Sequence, residues 1–536
     1  MDIRNKTAVV VLALFGSSLA GCSGSSGDGG LPGGVDPRQG LISTPPEALE
    51  LEDPQSCSAF DEFVTKAITG LILNGGFVGC RDCILTLTGG AAAQPALGTD
   101  QQSFERFTET NNQEAGVDEL DQIETDAAGY FYVLDGTQLV VANGLPPANL
   151  RRVAKLDLGG YADGLLLDPV SRRLVIARSE YFAIPFGVGP TFAPTPMNPV
   201  TELMFVNVAD PAAPVMERRL RVEGFNLAVR RVGSRVHVVT HATPFMPLPI
   251  VNDEALAALR ERLASLADAP RDSVPVRRVA YEIRNRVATL VAATDPLDYL
   301  PNLTASADGQ TFTDVTPADC SNVAYPNVAL RLGLTAVTSV DSDGTDVASL
   351  VVANDSWNVY ASEQHVYLSQ TSGGWWFDPA QRQQTAIYKI EIGAGRPVYR
   401  AFGAVEGWAN SSFQFSEHDG YLRVATNRSE LDPVAGRLQD NHLYVLGDNG
   451  ARRLNVVGKV NGFGAGERIF STRFLGTRGF VVTFRQIDPL FTLDLHDPYH
   501  PTVVGERLDT GFSRYLQPLS SDRLLGTVLR NVTAAA

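Results

Sequence analysis

The segment V-Y-R-A-F-G-A-V-E-G (398–407) is a strand-like run closed by a glycine, and its shape recurs along most of the chain. R-R-V-A-K-L-D-L-G-G (151–160), V-M-E-R-R-L-R-V-E-G (215–224), L-N-V-V-G-K-V-N-G (454–462) and T-V-V-G-E-R-L-D-T-G (502–511) repeat it, with Gly159, Gly224, Gly407, Gly462 and Gly511 as the closing glycines. Before each lies another β-run and a turn, such as F-V-N-V-A-D-P-A-A-P or F-T-L-D-L-H-D-P-Y-H-P, and after each come further short β-runs. Four strands recurring about every fifty residues are the pattern of a β-propeller. The expected fold class is therefore all-β: six full four-stranded blades and a partial seventh, with a helical hairpin inserted in blade 3.

Taking strands innermost first, blade 1 reads D-Q-I-E-T-D, Y-F-Y-V-L-D, Q-L-V-V-A-N and L-R-R-V-A-K-L-D-L. Blade 2 covers 162–224, with a Pro-rich loop at 185–199. Blade 3 starts at Asn226, breaks off near Thr240 and resumes at 331–353; blades 4, 5 and 6 cover 356–407, 411–462 and 469–511. A hairpin at 513–530 opens the seventh. Asp210-Pro211 and Asp497-Pro498 suit rigid turns bonded by the aspartate side chain, and Asp419-Gly420 suits a tight hairpin. The insertion at 241–330 differs in kind. Asn252-Asp253-Glu254 looks like a helix start, and Leu256, Leu259, Leu263 and Leu266 follow at helical spacing. A second helix is predicted over 276–293, with Val279, Ile283, Val287 and Leu290 on one face. A hairpin of this kind either carries function or caps a blade edge.

A chain of 536 residues with net charge −16 lacks the basic face a nucleic-acid binder needs, and 49 glycines with 32 prolines fit a turn-rich β protein. At the amino terminus, Arg4 and Lys6 precede an apolar run at 8–15 that is too short to span a bilayer. Leu19-Ala20-Gly21-Cys22 then resembles the bacterial lipoprotein signal, in which the cysteine is acylated and becomes the first mature residue. Ser23 after it, by resemblance to Gram-negative lipoproteins, implies the outer membrane, with the periplasmic or surface side left open. The domain plan is thus a signal and lipidation cysteine at 1–22, a flexible tether at 23–56, a small Cys-containing helical segment at 57–103 and the propeller at 104–530. Within 57–103, the apolar spacing at 59–73 predicts a helix docked on the propeller. Cys57, Cys80, Cys83 and Cys320 make an even number in an exported chain, and two disulfides are expected among them. One C-x-x-C alone is a poor zinc or redox motif.

T-N-N-Q-E-A-G-V-D-E-L-D-Q-I-E-T-D (110–126), F-Q-F-S-E-H-D-G-Y-L-R-V-A-T (413–426) and E-R-I-F-S-T-R-F-L-G-T-R-G-F-V-V-T-F-R-Q-I-D-P-L-F (467–491) resemble the motifs of a family of secreted bacterial and archaeal β-propeller proteins, distantly related to WD-repeat propellers. The resemblance covers roughly 104–530. It implies fold and export, and no catalytic activity. Relatives of that family continue for further blades, so the ring is expected to be truncated or open, with a gap between first and last blades. The other way to complete blade 7 is a strand from 84–88 or 104–108.

No nucleophile elbow, Walker loop, H-E-x-x-H or paired C-x-x-C occurs. His496 and His500 flank a turn that accounts for them better than a metal does. In the acidic run Asp118, Glu119, Asp121, Glu124 and Asp126, alternate carboxylates of a strand point one way and could ligate calcium; a solvated or turn-bonded acidic stretch is the other reading. Trp375-Trp376-Phe377 after Gly373-Gly374 read as a binding lip or as packing, and relatives carry tryptophans here by resemblance. The function expected is a membrane-anchored, non-enzymatic binding or scaffold lipoprotein of the cell envelope, whose partner is a protein or an envelope polymer. The alternative is a propeller-fold hydrolase or lyase with its site in the central channel.

Overall fold

The computed structural model describes residues 51–52, 57–73, 112–180, 199–242, 250, 252–270, 273–315, 323–326, 333–372, 383–393, 396–432, 436–484, 488–509, 512–520 and 523–529. Among these the chain is mostly strand. Six sheets in succession each contain four neighbouring antiparallel strands. Sheet 1 is Ile123–Thr125, Tyr130–Asp135, Gln138–Asn143 and Arg151–Asp157. The core of sheet 2 is Gly164–Asp168, Arg173–Glu180, Val200–Asn207 and Val215–Glu223; that of sheet 3 is Phe225–Val232, Arg235–Ala242, Leu334–Asp341 and Ala348–Ala353. Sheet 4 is Asn358–Ala361, His365–Ser372, Gln384–Glu391 and Val398–Glu406. Sheet 5 is Phe415–His418, Tyr421–Asp432, Gly436–Asp448 and Leu454–Phe463, and sheet 6 is Arg468–Leu475, Arg478–Phe484, Asp488–Asp494 and Thr502–Asp509.

The closing glycines explain how one sheet hands over to the next. Gly224 and Gly407 sit between the last strand of one sheet and the first of the next, with φ of +122° and +86° that suit glycine. At Gly224 a Cβ would lie 2.9 Å from the His241 carbonyl oxygen, and at Gly407 it would collide with the Asn427 carbonyl. The same side chains brace both crossings. Thr201 and Thr385 donate to the Gly224 and Gly407 carbonyls at 3.0 and 2.9 Å. Thr240 and Thr426 donate to the Glu223 and Glu406 carbonyls at 3.2 and 2.9 Å. The V-E-G signature therefore marks a crossing where the chain presses against the second strand of the following sheet.

Consecutive sheets share apolar cores. Val206 and Ile176 pack with Leu139 and Val141 between sheets 1 and 2, and Leu220 and Phe205 with Val229 and Val238 between sheets 2 and 3. Val337 and Val352 meet Leu368 and Tyr388 between sheets 3 and 4. Tyr367 and Ile387 meet Val424 and Leu446 between sheets 4 and 5, and Leu443 meets Val481 and Leu493 between sheets 5 and 6. Strands flanked by a neighbour on both faces are apolar on both, as in Gly164–Asp168, buried at every position.

The stretch 241–330 holds helices and strands. Helix α2 (Glu254–Ala264) is capped by Asp253, which accepts the Leu256 N–H at 2.7 Å. Helix α3 spans Val274–Ala292 and buries Val279, Ile283 and Val287. They pack with helix α1 (Cys57–Leu73), whose Phe60, Phe63 and Ile68 join them and sheet 3 in one core; the Phe63 ring stacks on Tyr325 at 4.9 Å. The expectation of a purely helical insertion needs amending. Leu303–Ser306 and Thr313–Asp314 extend sheet 2 outward. Val323–Pro326 joins sheet 3 in parallel, and Leu51–Glu52 pairs with it in turn. The insertion thus covers the outer edges of sheets 2 and 3 with strands, which leaves less open edge than a helical hairpin alone would. The hairpin Phe512–Ser520 and Arg523–Leu529 forms a two-stranded sheet.

Gly407→Ala tests the crossing. Gly420 has a similar φ of +80° but open space around a Cβ, so Gly420→Ala is expected to lose about 1–2 kcal/mol from backbone conformation alone. Gly407→Ala should lose clearly more in chemical denaturation. Equal losses would show that the close approach to Asn427 carries no cost.

Candidate functional site

Residues 112–122 touch the innermost strands of sheets 2 to 6, or the turns beside them, and lead directly into sheet 1. The Asn112 carbonyl accepts Arg473 of sheet 6 at 3.2 Å. Gln113 donates to the Phe415 carbonyl of sheet 5 at 3.2 Å and to the Ser412 carbonyl in the turn before it at 2.8 Å. Glu114 accepts the Tyr360 hydroxyl of sheet 4 at 2.8 Å and the Ser416 hydroxyl of sheet 5 at 3.2 Å. At Gly116, with φ of +76°, a Cβ would collide with Glu363 in the first turn of sheet 4. Val117–Glu119 pairs antiparallel with 230–232 of sheet 3. Asp121 exchanges backbone hydrogen bonds with Leu165 of sheet 2 at 3.0 and 2.8 Å, and the Gln122 carbonyl accepts Leu134 N–H of sheet 1 at 3.0 Å. A stretch this short reaches at most about 40 Å when extended. It can meet the inner strands of five sheets only if those strands converge, so the strap lies where they come together.

The expected calcium ligands are distributed along the strap. Asp118 is held by Arg231 at 2.9 Å and Glu119 faces Arg230 at 3.4 Å. Asp121 bonds the N–H of Gln122 at 2.8 Å. Among the described residues no group of three or more His, Cys, Asp or Glu side chains is arranged to hold a metal ion. His500 lies 2.8 Å from Asp497 of its own turn. Cys57 opens helix α1. Cys22, Cys80, Cys83, Cys320 and the Trp375-Trp376-Phe377 loop lie outside the described residues.

Burial shapes the charges. It raises the Glu114 carboxyl above its ordinary range, against the pull of the Tyr360 and Ser416 hydrogen bonds and of Arg423 and Arg473. Asp118 is likewise raised by burial, against Arg231. Glu124 is pushed to about 8 by burial first and then by the negative charges of Asp118 and Asp121. Tyr360 links two networks: it accepts the Glu417 N–H at 2.6 Å and donates to Glu114. Arg423, 4% exposed, donates to Ser416 at 2.6 Å and to the Gly476 carbonyl.

Between sheets 4 and 5, Ser362, His365 and Glu417 have the residue types of a nucleophilic triad but another geometry. The Ser362 hydroxyl and the His365 Nδ1, at 2.9 Å, both go to Glu417, so the serine proton is given to the carboxylate and not to the imidazole. Lys389 lies 4.0 Å from Glu417 and 3.4 Å from Asp448. Burial would raise Glu417, but His365 and Ser362 together hold it below its ordinary value. This is a buried ionic hub that joins two sheets.

Glu114, Tyr360, Arg423 and Arg473 were not singled out from sequence. The signal was N-N-Q-E-A-G-V-D-E-L-D itself, a dense polar run ahead of the first strand with a glycine in its middle.

A family model described as beta propeller domain matches residues 107–528. An uncharacterized protein of Archaeoglobus fulgidus is 26% identical over 477 residues, 82% of this chain and 69% of the relative. An uncharacterized protein of Methanocaldococcus jannaschii is 39% identical over 127 residues, 23% of this chain and 19% of the relative. Similar solved structures include the Pyrococcus horikoshii acylaminoacyl peptidase, at 9% identity and a TM-score of 0.28 over 80% of this chain and 50% of the peptidase. A Synechocystis apocarotenoid oxygenase mutant has 11% identity and a TM-score of 0.24 over 75% of each chain. This chain spans about half the length of the peptidase it matches.

Glu124 gives the site a pH signature. A carboxyl raised from 4.5 to about 8 keeps in the folded state a proton that the unfolded chain releases. Its stabilising contribution is full below about pH 4.5 and is lost as pH rises through about 8. Glu124→Gln is expected to flatten that part of the Tm–pH profile. Parallel profiles for wild type and variant would contradict the assignment.

Proposed function

The chain belongs to the beta propeller domain family, and on that premise we propose that it is an exported, lipid-anchored protein of the cell envelope that binds or scaffolds and performs no chemistry of its own. The observation that carries this reading is the strap. A propeller enzyme places its reacting groups in the axial channel, and here the chain's own residues 112–122 lie along the inner strands. The two acids of the strap that lie nearest the inner strands are engaged: Glu114 with Tyr360 and Ser416, and Asp118 with Arg231. The grouping of Ser362, His365 and Glu417 directs its hydroxyl to the acid. What remains for function is the presentation of surface, on a scaffold stiffened from within.

The anchor in this reading is Cys22, supported by Leu19-Ala20-Gly21 behind a short apolar run. The tether then delivers the chain to the outer edge of sheet 3, where Leu51–Glu52 pairs with Val323–Pro326. Two disulfides among Cys57, Cys80, Cys83 and Cys320 belong to the same reading. The even cysteine number supports them, as does Cys57 being disulfide-bonded. The aromatic loop Trp375-Trp376-Phe377 is a contact surface for a protein or an envelope polymer.

Cys22→Ala is expected to move the protein from the membrane fraction to the soluble fraction; an unchanged distribution overturns the anchor. Crosslinking in intact cells, followed by purification of the lipidated chain, should recover a defined envelope partner that is absent from the untagged control. Turnover of esters, peptides or polysaccharides by the purified chain, abolished by Ser362→Ala, would overturn the non-enzymatic reading.

A further inference from the structure

The strap meets sheets 3 and 4 near the far ends of their innermost strands, at 230–232, Tyr360 and Glu363. The near ends of those strands carry a second feature. Phe225 begins Phe225–Val232, and Trp357 directly precedes Asn358–Ala361. Trp357 is 39% exposed, whereas Trp408 is 7% exposed. Its orientation is set from behind. The indole N–H donates to Asp355 Oδ1 at 3.0 Å. The ring leans on His241 at 4.5 Å and 52°, and on Phe225 at 6.0 Å. His241 is itself 1% exposed, with Nε2 3.4 Å from the same Asp355 oxygen and Nδ1 3.3 Å from Thr335. A relay from Thr335 through His241 and Asp355 therefore fixes a large exposed ring in place.

Folding has already removed the freedom such a ring would lose on binding, which makes it a prearranged platform. The groups beside it narrow the ligand. Asn358 donates to Ser369 at 3.2 Å, which leaves its carbonyl oxygen as an acceptor. Gln370, which is buried, accepts the Asp355 N–H at 3.4 Å and steadies the same turn, while the second amide hydrogen of Asn358 serves as a donor. Hydroxyl groups match mixed donors and acceptors, because each can serve as either. A cation would need unshared negative charge, and the Asp355 oxygen that faces the ring already serves both indole and imidazole. A purely apolar ligand would strip water from the amides without replacing it.

We propose that this end of the inner strands of sheets 3 and 4 binds a saccharide, with the apolar face of a pyranose ring on Trp357 and its hydroxyls on the Asn358 amide. The site rests on the binding-protein reading and names its ligand class: a polysaccharide of the envelope.

The test is calorimetric titration of the full chain with a panel of soluble pyranose oligosaccharides, including chito-oligosaccharides and solubilised peptidoglycan glycan strands. At least one glycan is expected to bind, Trp357→Ala to weaken it tenfold or more at unchanged Tm, and Trp357→Phe to recover part of the loss. Trp375→Ala with Trp376→Ala should leave the affinity within threefold. The proposal fails if no glycan in the panel binds, if Trp357→Ala binds as wild type does, or if Trp357 is needed only for a trimethylammonium ligand. Crosslinking of Trp357→Ala separates the two levels. If the variant keeps the envelope partner while glycan binding is missing in wild type, the saccharide site falls and the binding-protein reading stands. Loss of both in wild type overturns both.

Discussion

The structure depends on one short polar segment that touches five sheets at their innermost strands and leads directly into the sixth. Residues 112–122 give Asp118 to Arg231, Glu114 to Tyr360 and Ser416, and backbone groups to sheets 2 and 3. Charges taken out of water are tolerated only when paired, and truncating one partner leaves the other stranded. The contacts also bridge large separations: Gln113 to Ser412 and Asn112 to Arg473 lie 299 and 361 positions apart. Closing such contacts costs loop entropy before it returns energy. The strap can therefore lock only after the last sheets exist, and its docking marks completion of the assembly.

Around that segment the sheets are held by a second, more local device. At two handovers, Gly224 and Gly407, a glycine is pressed against the next sheet, and each pair of neighbours buries a shared apolar layer. Cores formed between consecutive sheets let the array grow stepwise, as in repeat proteins generally. Polar hubs then add direction. Glu417 gathers Ser362, His365 and Lys389, while its own N–H reaches Tyr360 and so connects to the strap. The helices α1, α2 and α3 stand apart from this ring, with a core shared only with sheet 3. This gives the amino-terminal segment a docking place at the outer edge, away from the strap.

The repeating elements were legible because repetition and period-two alternation are strong signals. The glycine-closed runs marked the sheet boundaries, and Asp253 marked the start of α2. The strap was not legible, and the reason is physical. Val117–Glu119 is three residues long, and three residues carry no measurable periodicity. Its partners lie in other sheets, so nothing local in the sequence announced that Arg230 and Arg231 pair with Glu119 and Asp118. The strands at Leu303–Ser306 and Val323–Pro326 were hidden in the same way, because they pair with sheets begun far earlier in the chain. Trp357 was passed over for the Trp375-Trp376 pair, since adjacency is visible in sequence while exposure is not.

Amide hydrogen exchange on the folded protein tests the central claim most directly. If the strap is an integral part of the assembly, the Asp121 N–H should be as protected as the Leu165 N–H that returns its hydrogen bond. Both should open together with the inner strands of sheets 2 and 3, in one cooperative unit. Arg231→Ala should lower the protection of both. Free exchange across 117–121, with the inner strands still protected, would show that the strap only rests against the sheets and that they do not depend on it.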